Sequence, residues 1–225
     1  MKALVMRAYK FRIFPSKAVA KRLEKTLGAC RFLYNSELEF EEQACFSEGR
    51  FVGRDELNLL IPDWKAVNHG LKKVHSQVLQ NVSDRLVKSF EGFFARVKHG
   101  EKSGFPRFKS KGGYSSFAFS QSGFKLEEGK LGLSKIGLVN VKLHRKIEGK
   151  IKTLIVNKGS TRKWFACFSV VKGIGVKQKC LGKPVGLDVG LDSFYADSEG
   201  NKVENPRWLR KSEERLKFLQ TEAAF

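Results

Sequence analysis

The stretch Tyr9-Lys10-Phe11-Arg12-Ile13-Phe14 (YKFRIF) puts Tyr9, Phe11 and Ile13 on one face and Lys10 and Arg12 on the other. A period of two is that of a half-buried strand, here with a basic exposed face. Pro15-Ser16 breaks the pattern and the chain turns helical from Lys17, so no partner strand lies nearby in sequence. Period two returns over residues 115–171. There Phe117 and Phe119 share a face, as do Val139, Val141 and Leu143, then Leu154 and Val156, then Trp164, Ala166, Phe168 and Val170. Gly129, Gly132, Gly137, Gly149 and Gly159 punctuate these runs at hairpin-like spacing. The strand at 9–14 is therefore expected to pair with a small antiparallel sheet or barrel formed by 115–171. The helices from 17 to 109 then become an insertion into it.

Within that insertion, Ala20, Leu23 and Leu27 lie on one side of a first helix. Gly28 is expected to interrupt it, with a second helix from about Ala29 to Cys45. Two helices hinged at a glycine are either a DNA-reading helix-turn-helix or an ordinary helical hairpin. A short helix from Asp55 is expected to end near Pro62. The strongest pattern runs from Ser76 to His99, where Val78, Val82, Leu86, Phe90, Phe93 and Val97 form an apolar stripe. Gln77, Gln80, Asn81, Arg85, Lys88, Arg96 and Lys98 occupy its other faces, a surface for solvent or for nucleic acid. Then comes Gly104-Phe105-Pro106-Arg107-Phe108-Lys109-Ser110-Lys111, in which Arg107, Lys109 and Lys111 interleave with two phenylalanines. This composition suits phosphate neutralisation with a ring stacked on a base. It equally suits a basic loop whose phenylalanines anchor it to the core.

The charge balance favours the nucleic-acid reading. Across 225 residues, 43 Lys plus Arg stand against 23 Asp plus Glu, a formal net charge of +20, with 19 phenylalanines. An anionic membrane surface is the second partner class. No apolar run approaches the roughly 18 residues needed to span a bilayer, and the N-terminus lacks the apolar core of a signal peptide. A cytoplasmic protein is expected, with neither membrane nor small-molecule substrate as partner. Cys30, Cys45, Cys167 and Cys180 are scattered without a C-x-x-C pair, which predicts no zinc site and no disulfide framework.

Near the C-terminal end, Val185-Gly186-Leu187-Asp188-Val189-Gly190-Leu191-Asp192-Ser193-Phe194 again alternates. Leu187, Val189 and Leu191 are expected to face a core, leaving Asp188 on the opposite face between glycines, where a ligand could come close. Such a carboxylate suggests a Mg²⁺ ligand; the alternative is a surface Asp on an edge strand. Strands around 194–196 and 202–204 follow. Asn205 and Pro206 are expected to open a last helix, with Leu209, Leu216 and Leu219 on its apolar side.

Six stretches in order now match one pattern: YKFRIFPSK, CRFLYN (Cys30 to Asn35), SQVLQNVSDRLVKSFEGFF (Ser76 to Phe94), GFPRFKSK, VGLDVGLDSF, and GNKVENPRWLRKSEERLKFLQ (Gly200 to Gln220). Together they resemble the N-terminal half of the TnpB, OrfB-type "transposase" family of insertion sequences, related to type V CRISPR effector nucleases. The resemblance implies an α+β protein: a wedge-like antiparallel β-barrel (1–16 plus 110–178) interrupted by a helical recognition domain (17–109), followed by the first part of a RuvC/RNase H-like α/β domain (179–225). It implies binding of DNA and of a guide RNA from the transposon end, and Mg²⁺-dependent DNA cleavage. Asp188 matches the first RuvC acid and would be a metal ligand. Gln77 and Gln80 would lie near the duplex that carries the short motif beside the target, while Arg31 and Asn35 of the CRFLYN stretch join Lys10, Arg12, Arg85, Arg107, Lys109 and Lys111 as nucleic-acid-binding candidates.

The family's remaining carboxylates and its zinc ribbon lie downstream of anything in these residues. Asp192, four strand residues from Asp188, would sit roughly 13 Å away, too far to share an ion. The expectation is a C-terminally truncated protein with an incomplete Mg²⁺ site, no zinc and no nuclease activity of its own. The alternative is a working, non-catalytic RNA-guided DNA-binding repressor.

Overall fold

The computed structural model describes residues 3–174 and 182–222. They form two compact units that part between those ranges; Cys180 lies outside the described residues. In the first unit β1 (Ala3–Phe14) is followed by α1 (Lys17–Gln43), α2 (Arg54–Val67) and α3 (Ser76–Lys98). Then come β2 (Ser116–Phe119), β3 (Phe124–Glu127), β4 (Lys130–Leu133), β5 (Gly137–Lys142), β6 (Lys150–Lys158) and β7 (Trp164–Ile174). The sheet order is β2-β6-β7-β1-β5-β4-β3. All its pairings are antiparallel.

The long-range pairing expected from the alternation is made. Tyr9, Phe11 and Ile13 stand opposite Phe168, Ala166 and Trp164 of β7, and Ile13 also faces Val141 of β5. Their side chains are buried. The terminal strands β2 and β3 are not hydrogen-bonded to each other, but the rings of Phe119 and Phe124 lie 6.2 Å apart. The sheet therefore nearly closes into a barrel, with Phe11, Phe117, Phe119 and Phe168 in its core.

Two expectations for the helices are corrected. α1 does not break at Gly28 but runs unbroken from Lys17 to Gln43. Leu23 and Leu27 before the glycine, and Cys30, Leu33, Tyr34 and Leu38 after it, are all buried. Packing along that continuous face outweighs a propensity cost of about 1 kcal/mol. α2 likewise runs through Pro62 to Val67. Ile61 is buried just before the proline, and Trp64 just after it meets Phe40 edge-on at 6.4 Å. α3 appears where its stripe placed it, with Val78, Val82, Leu86 and Phe90 buried.

The second unit holds β8 (Leu187–Asp188), β9 (Ser193–Asp197) and β10 (Lys202–Glu204) in the order β10-β9-β8, followed by α4 (Trp208–Glu222). The core expected under Leu187, Val189 and Leu191 is not there: they are 67%, 73% and 91% exposed. β8 is only two residues long, and α4 has no buried residue. Leu209, Leu216 and Leu219 are correspondingly exposed. Nor does Asn205 cap α4. Its side chain accepts from the Arg207 N–H and donates to the Leu191 carbonyl, pinning the chain one turn before the helix begins.

Candidate nucleic-acid interface

Three clefts in the first unit adjoin one another. One, of about 750 Å³, is lined by Arg22, Lys25, Gly28, Asn68, Lys73 and Lys135, among others. The next, of about 570 Å³, is lined by Glu24, Gly28, Arg31, Lys111, Ser160, Arg162 and their neighbours, and shares Gly28 with the first. A third, of about 260 Å³, shares Tyr114 and Ser115 with the second and reaches Tyr34, Arg85 and Lys109. Side chains from α1, the 104–115 loop and the β6–β7 turn thus converge, although they are far apart in sequence.

Not all of these cations are available. Lys158 in the second cleft is paired with Glu24. Arg22 donates to the Ile136 carbonyl at 2.7 Å, and Lys135 to the carbonyls of Lys72 and Val74 at 2.8 and 3.2 Å. The side-chain cations of Lys25, Lys73, Arg31, Lys111 and Arg162 have no hydrogen-bond or ion-pair partner among the described residues. The one carboxylate lining these clefts, Glu24, is already paired with Lys158, so the remaining like charges repel one another and an entering anion relieves that repulsion.

Of the residues anticipated from the sequence, Arg31, Lys111, Lys109 and Arg85 line this system. Arg85 is turned inward, donating to the carbonyl and hydroxyl of Ser116 at 2.8 and 3.2 Å, with Tyr114 beneath it at 5.9 Å. Lys109 sits 5.4 Å over Tyr34. Asn35 is tied to the backbone of Lys109 in both directions, its Oδ1 accepting at 2.9 Å and its Nδ2 donating at 3.2 Å. The Gln77 Oε1 accepts from the Gln121 and Ser122 N–H groups at 3.1 and 2.8 Å, holding the β2–β3 turn. The amides of Asn35 and Gln77 therefore position the loops around them. Gln80 and Arg107 are exposed.

Phe105 anchors its loop to the core, packing on Phe90 and Phe93 at 5.2 and 5.3 Å. Phe108, 53% exposed, is left at the surface. Sequence reasoning missed Lys25, Lys73 and Arg162. Only Arg162 left a signal, as a cation in a hairpin turn after Gly159.

Lys10 and Arg12 form a second basic surface on the outward face of β1. The Lys10 ammonium lies 4.6 Å over the Phe165 ring, and the Arg12 guanidinium lies 5.2 Å from the Phe14 ring and 5.5 Å from that of Phe165. Its Nε is buried without a partner. Cation–π attraction to these rings holds both cations on this face.

Farther along, α1 carries two buried acids. The Glu37 Oε1 accepts from the Ser83 hydroxyl at 2.6 Å, and the Glu41 Oε1 from the Val52 N–H at 2.9 Å. Burial pushes the Glu37 carboxyl up to about 8, with the Ser83 bond pulling the other way, and raises Glu41 in the same direction. Burial also pushes the Cys30 thiol up to about 12, so it is an inert packing group.

Asp188 stands in the second unit, exposed on β8 opposite Ala196. Among the described residues no three His, Cys, Asp or Glu converge as a metal-binding group. One carboxylate does not fit a Mg²⁺ centre, which takes several oxygen ligands from protein or substrate.

Residues 1–48 match a family described as "Helix-turn-helix domain", of the OrfB, IS605 type. In this chain those residues hold a strand and one continuous helix closed by a π-helical turn. The chain is 29% identical over 226 residues to a Streptomyces pristinaespiralis protein named as a candidate RNA-guided DNA endonuclease, covering 98% of this chain and 55% of that protein. It is 26% identical over 219 residues to InsQ of Escherichia coli (strain K12), which bears the same designation, covering 96% and 53%. The chain thus spans about half the length of the curated relatives it matches. Among solved structures, a Cas12f1-sgRNA-target DNA complex aligns with a TM-score of 0.47 and 10% identity, covering 96% of this chain and 61% of that one. At that score the likeness adds nothing about the fold. The chain is thus similar to the OrfB, IS605-type family in its first 48 residues and to two proteins designated RNA-guided DNA endonucleases over nearly all of its length.

Proposed function

We propose that this chain binds nucleic acid as the DNA- and guide-RNA-holding part of a TnpB-like protein. The observation that carries the reading is the set of five unpaired cations, Lys25, Lys73, Arg31, Lys111 and Arg162, lining two clefts that meet at Gly28. The names of the relatives supply the ligand classes, RNA as guide and DNA as target. On this reading residues 1–16 and 110–178 act as the wedge, 17–109 as the recognition helices, and 179–225 as the beginning of a RuvC-like domain. The guide derives from the transposon end.

The same reading holds that these residues do not cut DNA unaided, because among the described residues no other carboxylates gather with Asp188. A binding-only, repressor-like role is the second reading. RNA recovered with the purified protein tests the first. Enrichment of transposon-end RNA is expected, with affinity falling steeply as salt rises; recovery of bulk cellular RNA without enrichment would sink guide binding. A Mg²⁺-dependent cut abolished in Asp188→Ala would overturn the non-cutting part.

A further inference from the structure

We infer that a nucleic-acid backbone crosses α1 at Gly28, passing from one cleft to the other, with Arg162 as a phosphate contact on the far side. This rests on the nucleic-acid reading above and names the path. Two residue choices carry it, since each costs the fold and neither has a reason inside it.

Gly28 lies in the interior of a 27-residue helix, where glycine is less stable than alanine. Its backbone is not in the left-handed region, and a Cβ built there would meet no atom within 4 Å. Neither backbone strain nor close packing within the protein demands glycine. Yet Gly28 lines both basic clefts. On the helix it continues the exposed ridge of Lys21 and Lys25, where its missing side chain makes the lowest point. Lys25 and Lys73 line the cleft on one side of this saddle, Arg31 and Lys111 the cleft on the other.

Arg162 is the converse case. It occupies a left-handed backbone conformation, φ 59°, in the β6–β7 turn, a place suited to glycine or asparagine. Bonds from Gly159 N–H to the Lys163 carbonyl at 2.8 Å, and from Arg162 N–H to the Gly159 carbonyl at 2.9 Å, hold it there. The turn tolerates that strain while placing an unpaired guanidinium on the cleft. A phosphodiester chain accounts for both choices. It needs close approach to a helix at one point and a fork of N–H donors at the next.

The test uses the full chain as wild type, Gly28→Gln, Arg162→Gly and, as a charge control outside the clefts, Lys130→Gln. Binding is read by anisotropy with two labelled probes of about 20 units, a single-stranded RNA and a DNA duplex, across a salt series. Thermal unfolding is measured in parallel. Glutamine improves the helix and glycine relaxes the turn, so both cleft variants should keep or raise Tm. Each should nevertheless lose affinity roughly three- to ten-fold, and Arg162→Gly should lower the salt slope by about 1. The probe that is weakened identifies the strand on this path. Wild-type affinity in both variants with Tm maintained would overturn the inference, as would loss in Arg162→Gly alone for the crossing at Gly28. If wild type binds neither probe, the underlying nucleic-acid reading fails instead.

Discussion

β1 and the stretch around β8 alternate apolar and polar residues in the same way, and the fold treats them oppositely. Tyr9, Phe11 and Ile13 are 6%, 0% and 1% exposed, whereas Leu187, Val189 and Leu191 are 67%, 73% and 91% exposed. β1 is covered because β7 and β5 flank it and the rest of the barrel wraps around its inner face. β8 pairs for only two residues, against β9. Alternation specifies which side chains share a face; whether that face meets protein or water depends on what else the chain brings to it.

That contrast can be broken by mutation. Phe11→Ala should cost about 3–5 kcal/mol, the usual range for emptying a buried aromatic site, measured by urea unfolding of the first unit. A loss below about 1 kcal/mol would mean that the barrel core is not closed around β1.

Acid–base behaviour gives the next largest effect. Glu37 binds its proton more tightly in the fold, at about 8, than at its ordinary value of 4.5. Between those values the folded state holds the extra proton, so stability falls as pH rises, by at most about 1.4 kcal/mol per pH unit. Glu37→Gln should flatten that slope while keeping a partner for Ser83. An unchanged slope would show that Glu37 is hydrated. The second unit buries no carboxylate among its described residues and should show no such dependence.

Asn35→Ala removes both bonds to Lys109 and should cost about 1–2 kcal/mol. Limited proteolysis should then cut residues 104–111 faster; an unchanged digestion pattern would show that Phe105 alone holds the loop. Smallest of all, Leu191→Ser should change stability by less than about 0.5 kcal/mol. A larger loss would show that this face is covered in solution.

Much of the fold was legible. The strand at 9–14, its distant partner sheet and α3 all followed from periodicity, because their apolar faces do become buried. Gly28 and Pro62 misled for one reason: local propensity argues for a break worth a few kcal/mol at most, and burial on both sides outweighs it. The candidate site was legible as a class of residue rather than as a place. Lys111 stands out in a basic stretch and Arg31 in the CRFLYN motif, but the hairpin turn that marks Arg162 does not say that it joins them, and no local pattern says that Asn35 and Gln77 hold loops.

The order of motifs, the positive charge and the sharing of faces are properties of the sequence alone, because they depend only on residue type and spacing. Which face is covered, which cations lack carboxylates and which glycine has empty space above it depend on residues more than a hundred positions apart. The barrel register that places the β6–β7 turn beside α1 settled those, by burying the apolar faces on either side of the cleft and leaving its charges in water.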